Sequence, residues 1–130
     1  MSSRRRKPSG AYIGKEDNFQ RTAIQIVRMM LISKGLDPRY AIHVPNGGHR
    51  HPVVAMKMKA QGVTPGYPDV MVFHPCAGSA GLSLELKVWP NKPSTEQLEI
   101  HELLRGAGWQ VHVCYGLGEV EEAVKSYLGV

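Results

Sequence analysis

Two prolines and two glycines fall within seven residues, Gly62-Val63-Thr64-Pro65-Gly66-Tyr67-Pro68. No helix or strand can run through that stretch. Proline removes a backbone donor and fixes φ, and glycine opens the left-handed region. The segment must therefore be an irregular loop. It delivers the chain into Asp69-Val70-Met71-Val72-Phe73, an apolar and β-branched run that reads as a strand. Small turn residues follow at Cys76–Gly81, and Leu82–Val88 then alternates as a second strand. The pair is expected to form a hairpin with a long loop.

The rest of the chain is organised around that hairpin. From Phe19 to Lys34, Phe19, Ala23, Val27, Met30 and Leu31 recur at helical spacing, and Gly35 is placed to end the helix. Tyr40–Val44 reads as a short strand and His51–Ala60 as a helix closed by Gly62. Ser94-x-x-Gln97 after Pro93 has the pattern of a capping box. It opens a helix to about Arg105, which ends at Gly106 or Gly108. Trp109–Tyr115 reads as a third long strand and Val120–Leu128 as a final helix. The methionines at 29, 30, 56 and 58 read as core filler. A mixed α/β domain over residues 16–130 is expected, behind a basic, flexible tail over residues 1–15.

Charge supports that division. The chain of 130 residues carries 16 Lys+Arg against 11 Asp+Glu, a net +5. Residues 1–15 hold Arg4, Arg5, Arg6, Lys7 and Lys15 and no acid, so the remainder sums to zero. A basic arm of this kind adds non-specific affinity for nucleic acid, or is simply a solvated tail. Between Asp37 and Asp69 there is no acid at all, while Arg39, His43, His49, Arg50, His51, Lys57 and Lys59 are present. Asn46, His49, Arg50, Lys57 and Lys59, with Arg4, Arg5 and Arg6, are the candidate DNA contacts. Asn46-Gly47-Gly48 could bring backbone N–H groups to a phosphate. An ordinary solvated basic helix is the competing reading. His49-Arg50-His51 lacks partners at zinc-ligand spacing.

Several classes are excluded. No apolar run approaches the roughly 20 residues needed to span a bilayer, and the N-terminal charge has no apolar segment behind it. A cytoplasmic protein with Cys76 and Cys114 reduced is expected, with no membrane partner and no organic cofactor.

The chemistry centres on Ser83-Leu84-Glu85-Leu86-Lys87-Val88. Alternation puts Leu84, Leu86 and Val88 on one face and Glu85 and Lys87 on the other. Glu-x-Lys alone is common on amphipathic strands. Asp69, at the entrance of the preceding strand, raises its significance. Antiparallel pairing with residue numbers summing to 154 sets Asp69 opposite Glu85, and a sum of 156 sets it opposite Lys87. Two carboxylates that close repel unless a cation lies between them. Hard carboxylate oxygens suit Mg²⁺ or Mn²⁺, and a neighbouring lysine would then face phosphate and water.

Pro68-Asp69, then Glu85-Leu86-Lys87, resembles the signature of PD-(D/E)xK nucleases. Gly62-Val63-x-Pro65-Gly66-x-Pro68-Asp69, Glu85-x-Lys87 and Ser94-x-x-Gln97 together resemble, more narrowly, the VRR-NUC (virus-type replication-repair nuclease) family, over about residues 16–130. The resemblance implies a restriction-endonuclease-like core, a mixed central sheet flanked by helices. It implies a metal-dependent DNA endonuclease acting on structured DNA (junctions or flaps) in replication and repair, in a phage setting and the host cytoplasm. It also implies residue roles. Asp69, Glu85 and the backbone carbonyl of Leu86 would hold Mg²⁺ or Mn²⁺. Lys87 would orient water or stabilise the phosphate, and Gln97 would contact the site. Glu16 would complete the metal set from the N-terminal helix, with Asp17 beside it as the alternative. Two symmetric cuts need two sites, so a homodimer is expected. A Holliday-junction resolvase or restriction-like endonuclease of another PD-(D/E)xK family, and an inactive nucleic-acid-binding module, are the alternatives.

Overall fold

The computed structural model describes residues 16–45 and 51–130, with the side chain of Glu16 excepted. Arg4, Arg5, Arg6, Asn46, His49 and Arg50 lie outside the described residues. The elements in order are α1 (Glu16–Ser33), a 3₁₀ turn (Pro38–Tyr40), β1 (Ala41–His43), α2 (Pro52–Ala60), β2 (Val70–Val72), β3 (Gly81–Leu86), α3 (Thr95–Gly106), β4 (Trp109–Cys114) and α4 (Leu117–Leu128).

The four strands form one sheet in the order β1-β2-β3-β4. The first two pairings are antiparallel and β3–β4 is parallel, so the sheet is mixed. A parallel pair needs a crossover, and α3 supplies it. In the β2–β3 hairpin Val70 pairs with Leu84, Met71 with Ser83 and Val72 with Leu82. These numbers sum to 154, which selects between the two registers the sequence left open.

Both faces of the sheet are covered, and strand alternation decides what each face carries. Val70, Val72, Leu82, Leu84 and Leu86 point to one side. There they pack with Phe19, Ala23, Val27 and Leu31 of α1 and with Val120, Val124 and Leu128 of α4. The four α1 residues are spaced four apart and lie along one stripe of the helix. Each large side chain buried this way stabilises the fold by about 1.5–3 kcal/mol. Met71 and Val111 point to the other side and pack with Ile100 and Leu104 of α3. The alternation expected for β3 is present, but its polar face is not open to solvent. Ser83 and Glu85 lie under α3, and every residue of β3 is buried.

Local signals set the element ends. Gly35 adopts φ +80° after α1. Ser94 and Gln97 form the reciprocal capping box at the start of α3. His51 caps α2 by accepting the Val53 N–H at Nδ1 (3.1 Å). Three of the four methionines differ from expectation. Met29 and Met56 are exposed and Met58 is only half-buried on α2, whereas Met30 packs against the main core. Met29 falls off the 19/23/27/31 stripe, and α2 has no buried residue, so Met56 has no core to fill. Cys76 and Cys114 are both free thiols.

Candidate active site

The site lies where β2 begins and β3 ends. Pro68 is fully buried and fixes the chain's approach to β2. Asp69 follows, one residue before the first β2–β3 pair, and the 154 register carried one step on sets it against Glu85. Its Oδ2 accepts the Leu86 N–H at 2.7 Å, which places the Leu86 peptide beside the carboxylate. Lys87 continues the strand past β3, its N–H donating to the Cys114 carbonyl at 2.9 Å. The ladder thus brings Asp69, Glu85, Leu86 and Lys87 together.

Gln97 joins them from α3. Its Oε1 accepts the Ser94 N–H (2.8 Å), closing the capping box, while its Nε2 donates to Glu85 Oε2 (3.1 Å). One carboxamide does both jobs because its two ends differ chemically. The approach of α3 to the sheet depends on Gly66. This residue sits at φ +99°, and a Cβ there would come within 2.9 Å of the Glu96 carbonyl oxygen and 3.1 Å of Ile100 Cγ1. Only glycine lets the loop lie against the first turn of α3.

Glu85 is 1% exposed, an unusual environment for a carboxylate. Burial, the charge of Asp69 and a side-chain hydrogen bond to Asp69 push its pKa up to about 9, against the opposing effect of Lys87. The two carboxylates therefore hold a proton between them when no cation is bound.

His101, missed in reading the sequence, is the other group on Glu85. Its Nε2 is 3.0 Å from Glu85 Oε1, and it too is 1% exposed. Burial, helped by Arg105 and Lys87, lowers its pKa, so the ring is neutral and donates to the carboxyl oxygen. A signal was available, since His101 follows Gln97 by four residues and shares its helix face.

The N-terminal helix reaches the same place. Gln20 Nε2 lies 2.7 Å from His43 Nδ1, which is itself 2.9 Å from the Asp69 carbonyl oxygen. Glu16 opens α1 one turn before Gln20. Asp17 is instead paired with Arg21 at 3.3 Å on an exposed face. Lys57 and Lys59 lie on α2, whose C-terminal end leads into the 62–68 loop.

The donor set fits a hard divalent cation. Among the described residues no three His, Cys, Asp or Glu side chains are arranged to hold a metal ion by themselves. Two carboxylates in contact with a peptide unit beside them, open on the Asp69 side, suit an ion that keeps several waters. Cys114 offers no thiolate, because burial and then Glu119 push it up to about 12. No helix of the described residues is long and apolar enough to cross a membrane.

Comparison with solved structures found a chain described as a "VRR_NUC domain protein", similar at a TM-score of 0.73 and 25% sequence identity. The match covers 93% of this chain and 91% of that one. No protein-family profile and no curated protein matches.

Proposed function

Because this chain belongs to the VRR-NUC family and has its nuclease-type fold, we propose that it is a divalent-metal-dependent DNA endonuclease. The observation that carries the reading is the paired, proton-sharing carboxylates of Asp69 and Glu85 beside the Leu86 peptide and Lys87. Asp69 and Glu85, with the Leu86 carbonyl, would hold Mg²⁺ or Mn²⁺, and Glu16 would add a further oxygen. When bound, the ion supplies Lewis-acid polarisation of the scissile phosphate and of a water molecule.

The chain's own residues do the rest. Asp69 and Glu85 give up their shared proton on loading. Lys87 offers an N–H donor and a positive charge to the phosphate oxygen on which charge develops. Gln97 and His101 hold Glu85 in one rotamer. Lys57 and Lys59, with Asn46, His49, Arg50 and Arg4–Arg6, would contact the phosphate backbone and set position rather than sequence.

The finer reading is structured DNA, junctions or flaps, in replication and repair, with a phage setting and the host cytoplasm as the place of action. A homodimer would cut a two-fold junction symmetrically. The test incubates the protein with labelled junction, flap and duplex DNA, with Mg²⁺ or with EDTA. Cleavage is expected with Mg²⁺ only, preferring branched DNA. Metal-dependent cleavage that survives Asp69→Ala or Glu85→Ala would overturn the mechanism.

A further inference from the structure

We propose that His101 is a positioning residue that, through its hydrogen bond to Glu85 Oε1, fixes the orientation of that carboxylate for binding a divalent cation. The inference rests on the metal-dependent reading of Asp69 and Glu85.

Both oxygens of Glu85 are held from α3. Gln97 Nε2 donates to Oε2 at 3.1 Å and His101 Nε2 sits 3.0 Å from Oε1. A carboxylate offers about four lone-pair positions. Two donors on one helix face occupy one position on each oxygen, on the α3 side. Asp69 meets the same carboxyl group from β2 through a side-chain hydrogen bond. The carboxylate is thus clamped about its terminal torsion, which is otherwise broad and two-fold.

Neither donor is adjustable. His101 is 1% exposed, so its ring sits in a packed helix–sheet interface. Gln97 is fixed by the capping box at its other end. Gly66 lets the 62–68 loop lie against the same helix, where a Cβ would come within 2.9 Å of the Glu96 carbonyl oxygen. Losing a hydrogen bond to a metal-ligating carboxylate typically weakens metal binding or activity roughly 10–100-fold. A histidine that only fills space would leave metal affinity alone when replaced by an apolar side chain.

The experiment titrates the full chain with Mn²⁺ alone and follows free Mn²⁺ by electron paramagnetic resonance. His101→Leu is expected to raise the Mn²⁺ Kd roughly 10–100-fold. His101→Gln, whose amide N–H can take the place of Nε2–H, is expected to stay close to wild type. DNA cleavage by His101→Leu should recover as Mn²⁺ is raised towards saturation. A folded His101→Leu that binds Mn²⁺ like wild type overturns the inference. Should His101→Leu fail to fold, His101→Asn replaces it, because its shorter amide cannot reach Oε1. Equal Mn²⁺ affinity in His101→Asn, His101→Gln and wild type then overturns the inference equally. Wild type that binds no Mn²⁺, or a Glu85→Gln variant that binds it as tightly, instead sinks the metal reading beneath it.

Discussion

Asp69 and Glu85 face one another at the end of the β2–β3 ladder, bonded side chain to side chain, and only one of them carries a full charge when no cation lies between them. The arrangement makes the site an exchanger of a proton for a metal ion. Asp69 stays half-exposed and anchored by the Leu86 N–H, while Glu85 is buried under α3.

Metal binding should therefore release a proton and strengthen with pH. Below about pH 9 the Mn²⁺ affinity should rise about tenfold per pH unit, since one proton leaves for each ion bound. Calorimetry in buffers of different ionisation enthalpy counts that proton. No proton release at pH 7 would contradict the shared-proton arrangement.

Stability of the metal-free protein should show the opposite slope. The pKa of Glu85 is raised from 4.5 in the folded state. Its contribution is fully present below about pH 4.5 and is lost progressively as pH climbs through the folded value near 9. Glu85→Gln should remove this component. Denaturant unfolding at pH 6 and pH 9 measures it as a difference between wild type and variant.

Gln97 and Ser94 should separate by their effects. Ser94→Ala removes the cap alone and should cost about 1 kcal/mol of stability with metal affinity unchanged. Gln97→Ala should cost a similar amount and also weaken Mn²⁺ binding, because Glu85 Oε2 loses its donor. Unfolding curves and Mn²⁺ titrations of the two variants make the comparison.

Lys87→Met should leave the fold intact, since the backbone of residue 87 alone joins the β4 ladder. Cleavage at saturating metal should fall on the order of 10²–10³-fold, the usual effect of removing one donor from a developing oxyanion. Single-turnover rates report it.

Gly66→Ala should destabilise by about 1–3 kcal/mol, because φ is +99° and the new Cβ would press on the Glu96 carbonyl. Thermal unfolding measures the loss. Weaker metal binding is expected alongside it, as α3 shifts from Glu85.

Deleting residues 1–15 removes five basic groups and no acid. DNA affinity in low salt should fall and its salt dependence should flatten, by about 0.9 in log–log slope for each phosphate that the arm no longer neutralises. The cleavage rate of bound DNA should be unchanged. Binding at several salt concentrations gives the slope.

Periodicity and turn chemistry in the sequence determined the element order, the hairpin, the capping box at Ser94, and Asp69, Glu85 and Lys87 as one cluster. These are local consequences of the chain: a period of two in a strand, of 3.6 in a helix, and the restrictions of Pro and Gly. The sequence also offered two registers and showed no reason to bury Glu85. Tertiary structure decided those points. The 154 register pairs Val70 with Leu84 and Val72 with Leu82 on the face covered by α1 and α4; a sum of 156 would change the partners but keep the same faces, so alternation in the sequence could not choose between them. Gln20 at His43 and Arg21 at Asp17 show which face of α1 meets the site. Burial of Glu85 and its bond to His101 arise where α3 packs on β3, bringing residues 85 and 101 together across the helix–sheet interface. Sixteen residues of sequence separate those two groups; the four-residue spacing of Gln97 and His101 put both on one helix face, but only the packing of that helix on the sheet brought His101 to Glu85.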